Sequence, residues 1–253
     1  KVSKVFLFKY LYYSMVKIVE LDKPNLSKIK MNCDDVIDEK LKKYPMVKDV
    51  WSKTSFNVIV GKMGQGKTSL ITNLVKKVFK EVFHHIYVFI PNNSRVSIDN
   101  DIYGRYIPDE DLYDTLSEEN LLEVYEKLKE NSNNCEFSLL IIDDFQAQLK
   151  DPEIVKVLQK IITKQRHLRA TTFLLQQNFQ ALVKPLRELV SNVITYNVGK
   201  SQLTKMFDEI VQLDKDKYNE LIDLAFVEPH DWILININGN RNIYRMFDRV
   251  DLE

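Results

Sequence analysis

Gly61-Lys62-Met63-Gly64-Gln65-Gly66-Lys67-Thr68 is the stretch on which the fold turns. It follows an apolar run, Phe56 to Val60, and leads directly into a helical pattern from Lys67 to Lys80. The glycines let the backbone wrap tightly around an anion with its N–H groups pointing inward, and the N-terminus of the following helix adds partial positive charge. In such a phosphate-binding loop, Lys67 reaches the β- and γ-phosphates of a nucleotide and the Thr68 hydroxyl holds Mg²⁺. The contacts expected for ATP are Gly61, Met63, Gly64, Gln65, Gly66, Lys67, Thr68 and Ser69. The helix stands independently: Leu70, Ile71, Leu74, Val75, Val78 and Phe79 form one apolar stripe, leaving Thr72, Asn73, Lys76, Lys77 and Lys80 on the other face. A chance glycine-rich turn would not explain why strand and helix flank it correctly. Gly199-Lys200-Ser201 shows what chance produces, because Ile194 occupies the place of the first glycine. Ser201 there reads as a helix cap.

The second half of the chemistry is Ser138-Leu139-Leu140-Ile141-Ile142-Asp143-Asp144, a buried strand that ends in two carboxylates, the Walker B pattern. A carboxylate at the tip of a parallel strand beside a phosphate loop can join the Mg²⁺ shell, and a second can polarise the attacking water. Asp143 takes the first role and Asp144 the second.

Upstream, an acidic start and lysine-rich end make Asp34 to Tyr44 a short helix, ended by Pro45. Residues 1–52 read as a lead-in and 53–253 as one ATPase domain. Within the lead-in, residues 1–14 read as upstream sequence or a cloning remnant, with Met15 the natural start. The run from Val5 to Tyr13 is interrupted by Lys9 and is too short to span a bilayer, so no membrane partner is expected.

Downstream, Ile86 to Ile90 is a buried strand closed by the turn Pro91-Asn92-Asn93-Ser94, with His84 and His85 in structural rather than metal-binding roles. An acidic irregular stretch leads to a helix capped by Ser117, and Asp151-Pro152-Glu153 opens another. Strands follow at Thr171 to Leu175 and Val193 to Val198, then helices from about Ser201 and Asp214. Trp232 to Ile237 and Ile243 to Phe247 read as a closing β-hairpin. Alternating strands and helices specify an α/β fold: a mostly parallel central sheet of about five strands flanked by helices, plus that C-terminal hairpin.

At 253 residues the chain can bury one full α/β core, and 36 basic residues balance 36 acidic ones, so bulk charge does not point to nucleic acid or anionic lipid. Cys33 and Cys135 stand without metal-ligand spacing, which suits a reducing interior. Charge is local: between Ile154 and Arg187 lie Lys156, Lys160, Lys164, Arg166, Arg169, Lys184 and Arg187 with no acidic residue. Such a segment either contacts phosphate backbone or is a solvated face. A GTPase is disfavoured, because Asp143 is not followed by an Asp-x-x-Gly switch and Thr163-Lys164-Gln165-Arg166 lacks an aspartate to read guanine. No arginine-studded lid marks a small-molecule kinase.

Taken together, the phosphate loop, the Asp143-Asp144 pair, Gln165-Arg166-His167 before the fourth strand, and Gln177 ten residues before Arg187 resemble the genome-packaging ATPases of large eukaryotic DNA viruses and virophages, within the FtsK/HerA superfamily. The resemblance spans residues 54–248. It implies an additional-strand P-loop fold, with the strand at 171–175 between the phosphate-loop strand and the Walker B strand. It further implies an ATP-hydrolysing, Mg²⁺-dependent double-stranded DNA translocase that fills a preformed capsid. The partners implied are DNA, a homo-oligomeric ring of hexameric or pentameric size and a capsid protein, in the host cytoplasm at a virus factory or in the virion. By the same resemblance Gln177 senses the γ-phosphate, and Arg166, or else Arg187, acts in trans across the ring. Asp144 departs from the wider superfamily, where many members carry glutamate. Two other readings stay open: a nucleotide-dependent assembly protein that moves nothing, and a cellular or plasmid DNA-transfer ATPase.

Overall fold

In the computed structural model, residues 54–96, 102–211, 215–237 and 242–250 are described, and all fall in one compact unit. The lead-in, with the helix expected at Asp34 to Tyr44, lies outside the described residues. Strand β1 (Phe56–Val60) runs into the phosphate loop and helix α1 (Lys67–Leu74), which continues through a π-helical segment, Val75–Phe79, to a last turn, Lys80–Val82. The chain then builds β2 (His85–Phe89), α2 (Asn92–Val96), α3 (Ile102–Tyr106), β3 (Leu112–Tyr113), α4 (Glu118–Asn133), β4 (Ser138–Ile142) and α5 (Pro152–Thr163). It closes with β5 (Ala170–Gln176), α6 (Lys184–Arg187), β6 (Asn192–Tyr196), α7 (Lys200–Ile210), α8 (Lys215–Ala225), β7 (Trp232–Asn236), β8 (Ile243–Arg245) and β9 (Asp248–Val250).

The strands form one sheet in the order β3-β2-β4-β5-β1-β6-β7-β8-β9. From β3 to β6 every pairing is parallel, and from β6 onward antiparallel. Strand β5 lies between β4 and β1, as the resemblance implies. The expectation of a central sheet of about five strands plus a C-terminal hairpin is corrected to one sheet of nine strands. Strand β7 pairs with β6 on one edge and β8 on the other, so the hairpin extends the main sheet. The physical reason is in its composition: Trp232, Ile233, Leu234 and Ile235 are consecutive and all buried, which an appended hairpin with one wet face could not achieve. Strands β3 and β9, two and three residues long, carry too short a pattern to be seen in sequence.

Alternation along β1 divides the core in two. Phe56, Val58 and Val60 face α4, α5 and α7, while Ile59 packs with Ile71 and Leu74 of α1 and Val75 of the π-helical segment. Each such side chain removed from water contributes about 1.5–3 kcal/mol, which anchors the strand that carries the loop. Asn57, buried in the same strand, donates to the Thr172 carbonyl at 3.2 Å and accepts from Asn192 at 2.7 Å, so its polarity is satisfied. Helix starts at Ser117 and Asp151 are as expected: Ser117 Oγ accepts from Asn120 N at 3.2 Å, and Asp151 Oδ1 from Glu153 N at 2.9 Å. Ser201 is not a cap. Helix α7 begins one residue earlier, at Lys200, and its cap is Gly199 at φ 104°, a backbone state that glycine adopts without a Cβ clash. His84 and His85 hold structural positions, His84 accepting from Phe137 N at 3.0 Å and His85 meeting Glu136 at 2.8 Å.

Candidate active site at the phosphate loop

Parallel strands bring their carboxyl ends to one edge of the sheet, and three of those ends meet here. Gly61 follows β1, Asp143 follows β4, and Gln177 follows β5; the Gly61 N–H donates to the Gln176 carbonyl at 3.0 Å. The glycines of the loop serve different ends. Gly64 and Gly66 have φ of 76° and 98°, where a side chain is strained. Gly61 needs space instead, since an added Cβ would lie 2.9 Å from the Tyr196 ring. The Tyr196 hydroxyl donates to the Gly66 carbonyl at 3.1 Å, so the same residue packs under one end of the loop and ties the other.

Gln65 braces the loop. Its Oε1 accepts from Lys62 N at 2.6 Å and its Nε2 donates to the Asn197 carbonyl at 2.8 Å. His230, at φ 72°, brings Nδ1 to 3.1 Å from the Gln65 carbonyl. Lys67 Nζ bridges the loop, donating to the carbonyls of Gly61 at 2.7 Å and Lys62 at 3.2 Å. Burial lowers its pKa, against the pull of Asp143 and Asp144. An anionic ligand would act against that lowering, favouring the charged form.

The Thr68 hydroxyl donates to Asp143 Oδ2 at 2.7 Å. Burial pushes the Asp143 carboxyl up to about 6, with Thr68 and Lys67 acting against the rise and Asp144 adding to it. Hydroxyl and carboxylate are oxygen donors suited to a hard cation, and Mg²⁺ is commonly held by one or two carboxylates plus substrate phosphates. No group of three or more His, Cys, Asp or Glu placed to hold a metal occurs among the described residues. Asp144 is different in every respect: exposed, at φ 64°, and accepting from Ser94 Oγ at 2.8 Å. A non-glycine residue held in the left-handed region beside a ligand loop is a strained position of the kind that clusters at active sites. Ser94 was legible only as part of a turn; its one signal is a polar cluster at the carboxyl end of a buried strand.

A cavity of about 1380 Å³ joins these groups, lined by Met63, Gly64, Gly66, Lys67, Thr68 and Ser69 together with Asp143, Asp144 and Gln177. The two arginines lie elsewhere. Arg166 is exposed in the turn that precedes β5, at the opposite edge of the sheet from the loop. Across the seven residues of β5 that is about 23 Å, beyond reach of its own site. Arg187 is engaged within the chain, pairing with Glu209 at 2.8 Å and donating to the carbonyls of Gln180 and Leu182.

The one-signed segment is also partly neutralised by folding. Lys156 meets Glu153, Lys184 meets Glu188, Arg187 meets Glu209, Lys160 lies over the Tyr125 ring, and Arg169 donates to the Cys135 carbonyl. Among the described residues, the side chains of Lys164 and Arg166 have no such partner. No helix of the described residues is long and apolar enough to cross a membrane.

Sheet order, loop and strand-tip carboxylates together define the class: an α/β fold with a mixed sheet, similar to that of P-loop packaging ATPases. The model of the family described as Poxvirus A32 protein matches residues 45–228, and the chain belongs to that family. Among solved structures it is similar to the DNA-packaging ATPase B204 of Sulfolobus turreted icosahedral virus, at 14% identity and a TM-score of 0.60, covering 79% of this chain and 98% of that one. It is similar also to the genome packaging NTPase B204 of Sulfolobus turreted icosahedral virus 2 in complex with ATPγS, at 16% identity and a TM-score of 0.53, over 76% and 96% of the two chains. The cytoplasmic domain of the type VII secretion ATPase EccC of Thermomonospora curvata matches at 14% identity and a TM-score of 0.51, over 76% of this chain and 25% of that one. At these identities the likeness is one of fold. No curated protein sequence matches significantly.

Proposed function

We propose that this chain is an ATP-hydrolysing motor that drives double-stranded DNA into a preformed viral capsid, working as a hexameric or pentameric homomeric ring. The observation that carries the proposal is the convergence of Lys67, the Thr68–Asp143 contact, Asp144 and Gln177 on one cavity at the carboxyl edge of the sheet. Membership of a poxvirus family and the packaging described for the B204 relatives support the choice of substrate.

In this reading Lys67 leaves the Gly61 and Lys62 carbonyls for the β- and γ-phosphates, which the loop N–H groups surround. Thr68 and Asp143 would hold Mg²⁺, which would neutralise charge on those phosphates. Asp144, fixed by Ser94, orients and polarises the attacking water. Aspartate is one methylene shorter than glutamate, so in this reading the attacking water sits closer to the strand end. Gln177, at the tip of β5, responds to the γ-phosphate. Arg166, distant from its own loop and unpaired among the described residues, is the trans-acting arginine. Arg187 is the weaker choice because its guanidinium already holds Glu209 and two carbonyls.

A second reading, a nucleotide-dependent assembly protein that moves nothing, draws on the internal partners found for five of the seven basic side chains. ATP turnover measured with and without double-stranded DNA separates them. Stimulation by DNA supports the motor, and turnover indifferent to DNA supports the assembly protein. A gene beside that of a capsid protein would set the motor apart from a cellular or plasmid DNA-transfer ATPase.

A further inference from the structure

The same cavity has a second wall that the phosphate chemistry does not use. Beyond β1, on the side away from Asp143 and Gln177, the sheet continues through β6 and β7 to β8. Antiparallel pairing returns the turn between β8 and β9 to the edge that carries the phosphate loop: Ile233 pairs with Arg245, and Met246 and Phe247 follow. Both side chains stand in water, Met246 at 39% and Phe247 at 47% exposure, and both line the cavity with the loop. An apolar pair held exposed beside a ligand site calls for an occupant.

The turn is held firmly in that place. The Trp232 indole meets the Phe247 ring edge-on at 5.1 Å, and the Met246 N–H donates to the Trp232 carbonyl at 2.8 Å. Arg245 pairs with Asp231 at 3.0 Å, fixing the turn to the loop that carries His230 and hence to Gln65. Met246 itself takes φ 51°, a conformation that presents its side chain at a cost the surroundings must meet. Direction then selects the occupant. A nucleoside triphosphate whose terminal phosphate lies towards Asp143, Asp144 and Gln177 reaches Met246 and Phe247 by extending its other end across β6 and β7. The strands from β1 to β8 span about 14 Å, a length that an extended nucleotide covers.

We infer that the β8–β9 turn, with Phe247 and Met246 in front and Trp232 behind, is the platform on which the base of that nucleotide stacks. The inference rests on the phosphate-loop reading and adds to it the residues that distinguish a nucleotide from a bare polyphosphate. An aromatic face stacks on any base, and loss of one such contact weakens binding roughly tenfold to a hundredfold.

The test is equilibrium binding of ATP and of inorganic tripolyphosphate, each with Mg²⁺, to the full chain and its variants. Phe247→Ala is expected to weaken ATP tenfold to a hundredfold while leaving tripolyphosphate unchanged, and Phe247→Tyr to retain the parent preference for ATP. Lys67→Ala should instead weaken both ligands. If Phe247→Ala bound ATP like the parent, or lost both ligands equally, the platform would be refuted while the phosphate loop stood. If the parent chain bound neither ligand, the nucleotide site itself would fall and the platform with it. Should Phe247→Ala not fold, Phe247→Leu, which keeps the apolar bulk and removes the aromatic face, carries the same expectation and the same refutation.

Discussion

Asp143 lies buried against Thr68 and Lys67, and this environment sets how the site responds to pH. Folding raises its pKa from 3.8 to about 6, so between those values the native state keeps a proton that the unfolded chain has released. Its contribution to stability is therefore greatest below the lower value and is lost as the pH rises through the upper one. Asp143→Asn removes that loss. In urea unfolding without Mg²⁺ or nucleotide, variant and parent should be alike near about pH 4, and the variant more stable by on the order of 1–3 kcal/mol above about pH 7. A difference that did not vary with pH would show that another group bears the cost of burial. The neighbouring residues divide differently. Lys67→Ala should abolish hydrolysis and weaken nucleotide binding severely, because the cation facing the β- and γ-phosphates is gone. Asp144→Asn should bind ATP and Mg²⁺ and fail to hydrolyse; loss of binding in that variant would overturn the division of labour between the two carboxylates.

At the scale of elements, helix α5 and the turn after it carry the basic groups that DNA contact would use. Lys156 is paired with Glu153, but at 78% exposure such a pair is worth at most about 1 kcal/mol and yields readily to a phosphate. Lys160 sits 4.0 Å from the centre of the Tyr125 ring, which retains it more firmly. Lys164 has no competing partner among the described residues. If the helix tracks phosphates, Lys164→Ala should lower the slope of log affinity against log salt by about one unit, and Lys160→Ala by less. Equal slopes in the parent and in the triple alanine variant of Lys156, Lys160 and Lys164 would identify this as a solvated face.

On the scale of the whole molecule, β5 separates Arg166 from its own phosphate loop by the depth of the sheet, so any catalytic role requires a second subunit. Arg166→Ala should cut turnover on the order of a thousandfold and spare nucleotide binding, since an arginine finger acts on charge that develops in the transition state. Mixed with Lys67→Ala subunits, it should recover activity at each interface that pairs an intact loop with an intact arginine. Near-normal turnover of Arg166→Ala alone would remove it from the mechanism and return attention to Arg187.

The phosphate loop, the strand-tip carboxylates and the alternation of strand and helix were legible in the sequence because each is written in consecutive residues: glycines that permit the loop, an apolar run ending in two acids, a stripe at helical spacing. Capping at Ser117 and Asp151 is local in the same sense. What no local pattern contains is which residues from distant segments meet. Gly61 reads as a loop glycine, yet it is required by the Tyr196 ring, which comes from β6. Ser94 reads as a turn residue and holds Asp144, fifty residues away. Arg187 reads as a free basic group and is occupied by Glu209 of α7. The closing hairpin was visible as two strands, but its incorporation into the main sheet, which carries Phe247 to the mouth of the site, depends on β7 finding the edge of β6. Those outcomes follow from packing between segments, where burial and hydrogen bonding are settled only once the whole sheet has formed.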